Sequence, residues 1–199
     1  MQEIVFVTHN PGKIASAQKI LKNVKLSIFE YELDEPRSDD IEYISKMKVM
    51  EAYKLVKKPC ISLDCGFWID ALNGFPRAFV NFALETVGLE GILKLMEGIE
   101  NRSCRFTECL SYYDGKELHQ FAGKHEGLIA PAILGLDTDE KWSDLWYIYI
   151  PKGYEKTLAQ MTQEERDSRV LYESVDSMEE FAKWCEEEFA ENIDKSCLE

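Results

Sequence analysis

Residues 62–76 read SLDCGFWIDALNGFP, and the rest of the chain can be interpreted outward from this stretch. Residues 60–63 are mostly apolar and predict a short strand that leads directly into Asp64. Gly66 predicts a loop there, because glycine permits a sharp turn or a close approach of the backbone to a ligand. The Asn-Gly pair at 73–74 predicts a second turn. An ionisable group where a strand opens into a loop is typical of functional sites in α/β proteins. A helix N-cap or turn aspartate at position 64 fits the residues alone as well.

The composition of the whole chain restricts the class of protein. Its 199 residues, 45% of them hydrophobic, predict a single domain over residues 1–199, arranged as two lobes around a cleft. The formal net charge of -14 argues against a nucleic-acid partner and against binding to an anionic membrane. A polyphosphate would bind such an acidic chain only through a local basic pocket or a divalent cation.

The cysteines and the first residues indicate a cytoplasmic protein. None of the six cysteines forms a C-x-x-C pair, and no Cys/His group has zinc-site spacing, so reduced thiols are the simplest interpretation. Residues 1–10 lack the basic start and the apolar run of a signal peptide. No apolar segment of the sequence approaches membrane-spanning length.

The N-terminal residues predict an anion site. Residues 4–7 are β-branched and aromatic, as in a buried strand, and Thr8 then leaves the strand. Asn10 and Pro11 suit the cap and the first position of a helix that carries Lys13. A strand, a short polar loop and a helix N-terminus with a lysine bind anions by geometry alone. The second glycine and the GK[ST] ending of a Walker A loop are missing.

Two further helices are predicted in the middle of the chain. Residues 41–56 are amphipathic, and helical spacing places Lys48 on the apolar face. A lysine there either packs its stem while its ammonium reaches water, or reaches into a site. Residues 79–96 predict a helix whose apolar face includes Phe82, interrupted at the glycines of positions 88 and 91.

The second half predicts a hairpin followed by short elements. Residues 102–113 and 117–129 read as two long strands joined by an Asp-Gly turn, with His119 and His125 on one face. Two histidines are too few for a metal site, so surface or core positions are the simpler interpretation. The remaining segments predict a loop at 131–143, a strand at 145–150, a helix start at 162–165 and a helix at 178–190.

Four motifs in order along the chain resemble those of the inosine/xanthosine triphosphate pyrophosphatases. DCGFWIDALNGFP at 64–76 is similar to DSGL-x-VDALNG-x-PG, and THNPGK at 8–13 is similar to T-x-N-x-x-K. FAGKHEGLI at 121–129 is similar to F-x-G…G-x-I, and IP at 150–151 with KTLAQM at 156–161 is similar to IP…RT-x-AEM.

The resemblance implies a fold and a reaction. The fold is α/β, with a long, mixed, twisted central sheet flanked by helices and two lobes around a cleft, usually in a homodimer. The reaction splits a purine nucleoside triphosphate, deaminated purines included, into the monophosphate and pyrophosphate. Water attacks the α-phosphorus, and Mg²⁺ or Mn²⁺ neutralises charge on the phosphates.

Carried over residue by residue, the resemblance assigns the metal to Asp64 and Glu35, with Asp64 also accepting the proton of the attacking water. Glu32 and Asp34 lie close enough to Glu35 to leave that register open, and an exposed acidic loop fits these residues equally well. Substrate contacts are expected from Thr8, Asn10, Lys13, Lys48, Cys65, Asp144, Arg166, Ser168 and Arg169.

Departures from the family pattern fall mainly on base recognition. Leu63 replaces an acidic residue, and Arg77 and Asn81 replace the glycine and lysine of PG-x-x-x-K. KWSDLW at 141–146 replaces the G-F-G-[YW]-D-P loop, and ERDSR at 165–169 shortens E-K…S-H-R without its histidine. These changes predict a pyrophosphohydrolase whose selectivity for inosine or xanthosine triphosphate is weakened or redirected. The alternative is a catalytically weak relative that acts as a nucleotide-binding or protein-interaction module.

Overall fold

The computed structural model describes residues 3–138, 140–169 and 175–196, with side chains up to residue 188. The strands are β1 (Glu3–Val7), β2 (Lys25–Phe29), β3 (Cys60–Ile69), β4 (Pro76–Arg77), β5 (Ser103–Tyr113), β6 (Leu118–Ile129) and β7 (Tyr149–Pro151). The helices are α1 (Pro11–Ile20), α2 (Ile41–Val56), α3 (Val80–Thr86), α4 (Gly88–Leu95), α5 (Gln163–Asp167) and α6 (Ser177–Ser196). Within these residues, no helix combines the length and the apolar character that crossing a bilayer requires.

The strands form one mixed sheet. Its order is β2-β1-β3-β5-β6-β7, and β4 pairs only with β3. β1 runs parallel to both of its neighbours, β2 and β3, whereas the pairs β3–β5, β5–β6 and β6–β7 are antiparallel. The predicted mixed central sheet is therefore confirmed.

Alternating side chains of the central strands pack against helices on both faces. Phe6 and Leu110 lie on the face of the sheet that α1 and α6 cover, and Phe181 of α6 is fully buried against that face. Val5 faces α2, where Val49 is fully buried. Because successive residues of a strand point to opposite faces, β1 contributes to both layers. A separate apolar cluster lies toward the other end of β3, where α3 and α4 pack.

The structure corrects the interpretation of the stretch around Asp64. β3 continues to Ile69, because β5 pairs with it along its whole length, so neither the loop predicted at Gly66 nor a cap or turn at Asp64 is present. The glycine is required by a close approach instead: a Cβ there would lie 2.6 Å from the Trp68 ring. The second turn is confirmed, with φ values of 53° at Asn73 and 85° at the following glycine.

The other sequence predictions have mixed outcomes. α2 and the long hairpin form as predicted, and the interrupted helix is confirmed as α3 followed by α4. The apolar face predicted there is partly wrong, since Phe82 is 66% exposed. The strand predicted at 145–150 is wrong over its first half, where Asp144–Tyr147 forms a 3-10 helix and only Tyr149–Pro151 is a strand.

Candidate active site

The N-terminus of α1 opens onto the site and is capped as predicted. The Asn10 side chain accepts the Lys13 N–H at 3.0 Å, and its amide donates to the carbonyl of Trp142 at 3.0 Å. Gly12 allows this approach, since a Cβ there would lie 2.5 Å from the Lys141 carbonyl oxygen. The segment around Trp142 is thereby held against the start of α1.

Lys13 reaches from this helix to the central strand. Its ammonium donates to the Leu63 carbonyl at 2.7 Å. The Leu63 side chain packs in the core with Phe6 and Leu110, so the position where the family resemblance implies an acid belongs here to the apolar layer. Lys13 therefore brings a positive charge to the backbone immediately before Asp64.

Lys48 approaches the same point from the opposite face of the sheet. Its ammonium lies 2.8 Å from Asp64 Oδ1 and 2.9 Å from Glu35 Oε1. Burial opposes the charge of Lys48, but the carboxylates of Asp64 and Glu35 outweigh burial and raise the pKa of the ammonium. Of the two arrangements that helical spacing left open, the structure places the Lys48 ammonium inside the site.

Asp64 offers an oxygen suited to a metal. The residue is 4% exposed, and its Oδ2 is buried without a hydrogen-bond partner among the described residues. An unpaired buried carboxylate oxygen is costly, which indicates that a ligand satisfies it. Carboxylate oxygens are the ligands that Mg²⁺ prefers, and Glu35 supplies a second one on the other side of Lys48. The residues present therefore fit a divalent cation.

These groups line one cleft of about 640 Å³. Lys13 and Asp64 both line this cleft, as the hypothesis of an anion site opposite a carboxylate requires. The predicted site residues that line it are Thr8, Asn10, Lys13, Glu35, Lys48, Asp64, Cys65, Arg166 and Arg169. Glu32 and Asp34, the alternative candidates for the second metal ligand, also line the cleft. The contact with Lys48, however, is made by Glu35.

Two predicted site residues lie outside the cleft. Asp144 pairs with Lys141 at 3.0 Å and has a half-exposed side chain. The Ser168 hydroxyl donates to the Glu164 carbonyl at 2.7 Å, across a turn of α5. In place of Asp144, Trp142 and Trp146 of the same segment face the cleft.

Arg166 lines the cleft but is held by protein groups. Its guanidinium donates to Glu140 at 2.8 Å and to the Met161 carbonyl at 2.5 Å. It also lies 5.6 Å from the centre of the Trp146 ring. The Nε of Arg166 is buried without a hydrogen-bond partner among the described residues, so the substrate contact predicted for Arg166 stays a prediction.

Sequence analysis missed a group of Glu108, His125 and Asp176, here called the Glu–His–Asp cluster, which lines the same cleft. One ligand atom from each residue lies within 4.8 Å of the others. Glu108 is 2% exposed, and its Oε1 accepts the N–H and the hydroxyl of Ser177, both at 2.8 Å. A side chain at Gly123 would collide with this carboxylate. The signal was available, because the Asp-Gly turn fixes the register that sets Glu108 opposite Gly123, two residues from His125.

The cluster perturbs the ionisation of its own carboxyl groups. Burial raises the pKa of Asp176 to about 6, and the nearby Glu108 carboxylate adds to this shift. For Glu108, burial favours the neutral form, but hydrogen bonds from His125 and Ser177 outweigh it and hold the pKa below its ordinary value. Glu108 is therefore the stronger acid of the two, and Asp176 bears the energetic cost of lying beside its charge.

Other proteins are similar to this chain over most of its length. The Ham1 family matches residues 4–171. A dITP/XTP pyrophosphatase of Thermococcus kodakarensis is 32% identical over 191 residues, which cover 92% of this chain and 97% of that protein. One from Saccharolobus solfataricus is 37% identical over 83% of this chain and 85% of its own length. An inosine triphosphate pyrophosphatase of Yarrowia lipolytica is 30% identical over 83% and 87% of the two chains.

Solved structures of the same family share the fold. The Ham1 protein of Staphylococcus aureus matches with a TM-score of 0.76 and 23% identity, over 94% of this chain and all of that chain. A HAM1 protein from Coxiella burnetii matches with a TM-score of 0.77 and 20% identity, again over 94% and 100%. These matches confirm the α/β fold, and the sequence matches confirm the resemblance drawn from the four motifs: the chain belongs to the Ham1 family.

Proposed function

We propose that this protein hydrolyses a purine nucleoside triphosphate, deaminated purines included, to the monophosphate and pyrophosphate with Mg²⁺ or Mn²⁺. The observation that carries the proposal is the convergence of Lys13 and Lys48, from opposite faces of the sheet, on the backbone and side chain of residues 63 and 64. The names of the relatives from Thermococcus and Yarrowia support the same reaction.

The roles follow from charge and position. Lys13, Lys48 and the N–H groups at the start of α1 bind the phosphates, since cations and helix N-termini both favour anions. Thr8 and Asn10 line the same end of the cleft. When bound to Asp64 and Glu35, the divalent metal neutralises charge on the phosphates.

Asp64 also acts as the general base. Its carboxylate accepts the proton of the water that attacks the α-phosphorus, and the departing group is pyrophosphate. Lys48 contacts both Asp64 and Glu35 through its ammonium, so it lies between the two carboxylates that would hold the metal.

The experiment is a pyrophosphate-release assay with a panel of nucleoside triphosphates and Mg²⁺, run beside the Asp64→Asn variant. We expect release from at least one nucleotide and its loss in the variant. If no nucleotide releases pyrophosphate above the Asp64→Asn background, the hydrolase proposal fails. Nucleotide binding without turnover would then support the alternative, a nucleotide-binding module. Two departures from the family pattern favour that alternative: Leu63 in place of an acidic residue, and the missing histidine in the ERDSR segment at 165–169.

A further inference from the structure

The Glu–His–Asp cluster combines one imidazole with two carboxyl groups on the wall of the cleft. His119 and His125 alone were too few for a metal site, but the structure supplies His125 with these two carboxyl groups. A ligand atom from each residue lies within 4.8 Å of the others. Ligand atoms bonded at about 2.1 Å to a tetrahedral ion lie roughly 3.4 Å apart, so side-chain movements of about 1 Å close the group around one ion.

The imidazole of His125 has one nitrogen beside a carboxylate and one without a partner. Its Nε2 lies 3.4 Å from Glu108 Oε1, and the side chain is only 14% exposed. Its Nδ1 is buried without a hydrogen-bond partner among the described residues. A buried polar nitrogen without a partner is costly, which indicates that a ligand satisfies it. A histidine that binds a metal through one nitrogen usually turns the other toward a carboxylate, carbonyl or water.

The two carboxyl groups are held in place by one oxygen each. Glu108 Oε1 accepts the N–H and the hydroxyl of Ser177, both at 2.8 Å. Asp176 Oδ1 accepts the N–H groups of Met178 and Glu179, at 2.9 and 3.0 Å. The second oxygens, Glu108 Oε2 and Asp176 Oδ2, make no hydrogen bond to any described residue. Carboxylates that bind metals are commonly fixed by such hydrogen bonds, which orient the remaining oxygen.

The types of ligand atom indicate which ion the cluster selects. Mg²⁺ prefers oxygen ligands in an octahedral arrangement, whereas imidazole nitrogen suits first-row transition metals. Zn²⁺ binds such mixed nitrogen and oxygen sites more tightly than Mn²⁺ does. The cluster therefore differs from the pair of Asp64 and Glu35, which offers only carboxylate oxygens. Three protein ligands also leave a fourth position of a tetrahedral ion open toward the cleft.

We propose that the Glu–His–Asp cluster is a second metal site, which binds one Zn²⁺ ion separately from the Mg²⁺ or Mn²⁺ at Asp64 and Glu35. The ion offsets the charge of two carboxyl groups that a single imidazole does not balance. This site needs neither nucleotide nor turnover, so it goes beyond the proposed hydrolysis and does not depend on it.

The test is calorimetric titration of the full chain with Zn²⁺, without nucleotide, after EDTA treatment and removal of the chelator. We expect one Zn²⁺ per chain, and excess Mg²⁺ should not displace it, because Mg²⁺ binds nitrogen ligands poorly. The Asp64→Asn variant should bind Zn²⁺ with unchanged affinity. Absence of Zn²⁺ binding, displacement by Mg²⁺ or loss of binding in Asp64→Asn would overturn the inference.

A matched pair of histidine variants locates the ion. His125→Gln should weaken Zn²⁺ binding by about ten-fold or more, because it removes the nitrogen ligand. His119→Gln is the control, since His119 lies on the same strand, 3.5 Å from Glu117 and outside the cleft, and should leave the affinity unchanged. Equal affinities of folded His125→Gln and the control would show that other groups, such as thiols, hold the ion, and would overturn the inference.

A second variant tests the site if His125→Gln fails to fold. Asp176→Asn keeps a side-chain acceptor for the start of α6, since asparagine caps helices as well as aspartate does. It should weaken Zn²⁺ binding by about ten-fold or more, because an amide replaces a charged ligand. Glu187→Gln removes one charge from an exposed position of α6, outside the cleft, and should leave the affinity unchanged. An unchanged affinity in folded Asp176→Asn would overturn the inference, whereas Zn²⁺ binding without pyrophosphate release would remove only the hydrolase.

Discussion

The two ends of the cleft are built in different ways. The phosphate end, formed by Lys13, Lys48 and Asp64, brings two cations to the backbone and side chain around a single carboxylate. The other end, formed by the Glu–His–Asp cluster, brings two carboxyl groups and one imidazole together in the same cleft. The contrast teaches that a chain with a net charge of -14 can still concentrate two lysines at one place in a groove.

The largest expected effect is on kcat and comes from a change at the phosphate end. Asp64→Asn should lower kcat for pyrophosphate release by about 10²–10⁴-fold, because the variant loses the general base and a metal ligand. Initial rates at saturating nucleotide and Mg²⁺ measure it, with Glu187→Gln as the control for one lost negative charge. A fall of less than about ten-fold would show that Asp64 is not the base.

The stability of the phosphate end distinguishes its two lysines. Lys48→Met should destabilise the fold by about 3 kcal/mol, because it leaves the buried Asp64 carboxylate without its cation. Lys13→Met should cost only about 1 kcal/mol, because Lys13 donates to a backbone carbonyl. Urea unfolding in EDTA measures both free energies. Equal losses for the two variants would contradict the ion pair as the main constraint on Asp64.

The other end should respond to pH. The folded-state pKa of Asp176 is raised to about 6 from 3.8 by burial and by Glu108, so folding favours its protonated form. That contribution is fully present below about pH 4 and is lost as the pH rises through about 6. The neutral Asp176→Asn variant should therefore gain stability relative to the parent between pH 4 and 8, by up to about 3 kcal/mol. Unfolding free energies at both pH values measure it, and an equal difference at pH 4 and 8 would contradict the shift.

The smallest effect concerns a residue outside both ends. Asp144→Asn should change kcat/KM by less than about two-fold, since Asp144 is half-exposed and pairs with Lys141 at the surface. The measurement is the same pyrophosphate assay with the preferred nucleotide. A ten-fold loss would show that this segment moves into the cleft when substrate binds.

The phosphate end could largely be predicted from the sequence because its signals are local. Asn10 caps α1 and Lys13 follows three residues later, so both are recognised from neighbours in α1 alone. The apolar spacing that turns Lys48 inward likewise depends only on neighbours in α2. The error at Gly66 came from a distant partner: β5, about forty residues later, keeps β3 extended through Asp64.

The other end could not be predicted in the same way because its parts come from three elements. Glu108, His125 and Asp176 lie on β5, on β6 and just before α6, so no short motif contains them. Asp144 was predicted as a substrate contact because it resembles the aspartate of the G-F-G-[YW]-D-P motif. In the structure it pairs with Lys141, three residues earlier, and is half-exposed. Hairpin register was the one available signal, and it reaches only two of the three cluster residues.

The most direct test of the central claim follows the oxygen of the attacking water. Hydrolysis of the preferred nucleoside triphosphate in ¹⁸O-labelled water, with Mg²⁺, should place the label in the nucleoside monophosphate and leave pyrophosphate unlabelled. Mass spectrometry of the two products reads the position, and Asp64→Asn should abolish the labelled product. Label in pyrophosphate or in orthophosphate, or no monophosphate at all, would contradict a water activated by Asp64 at the α-phosphorus.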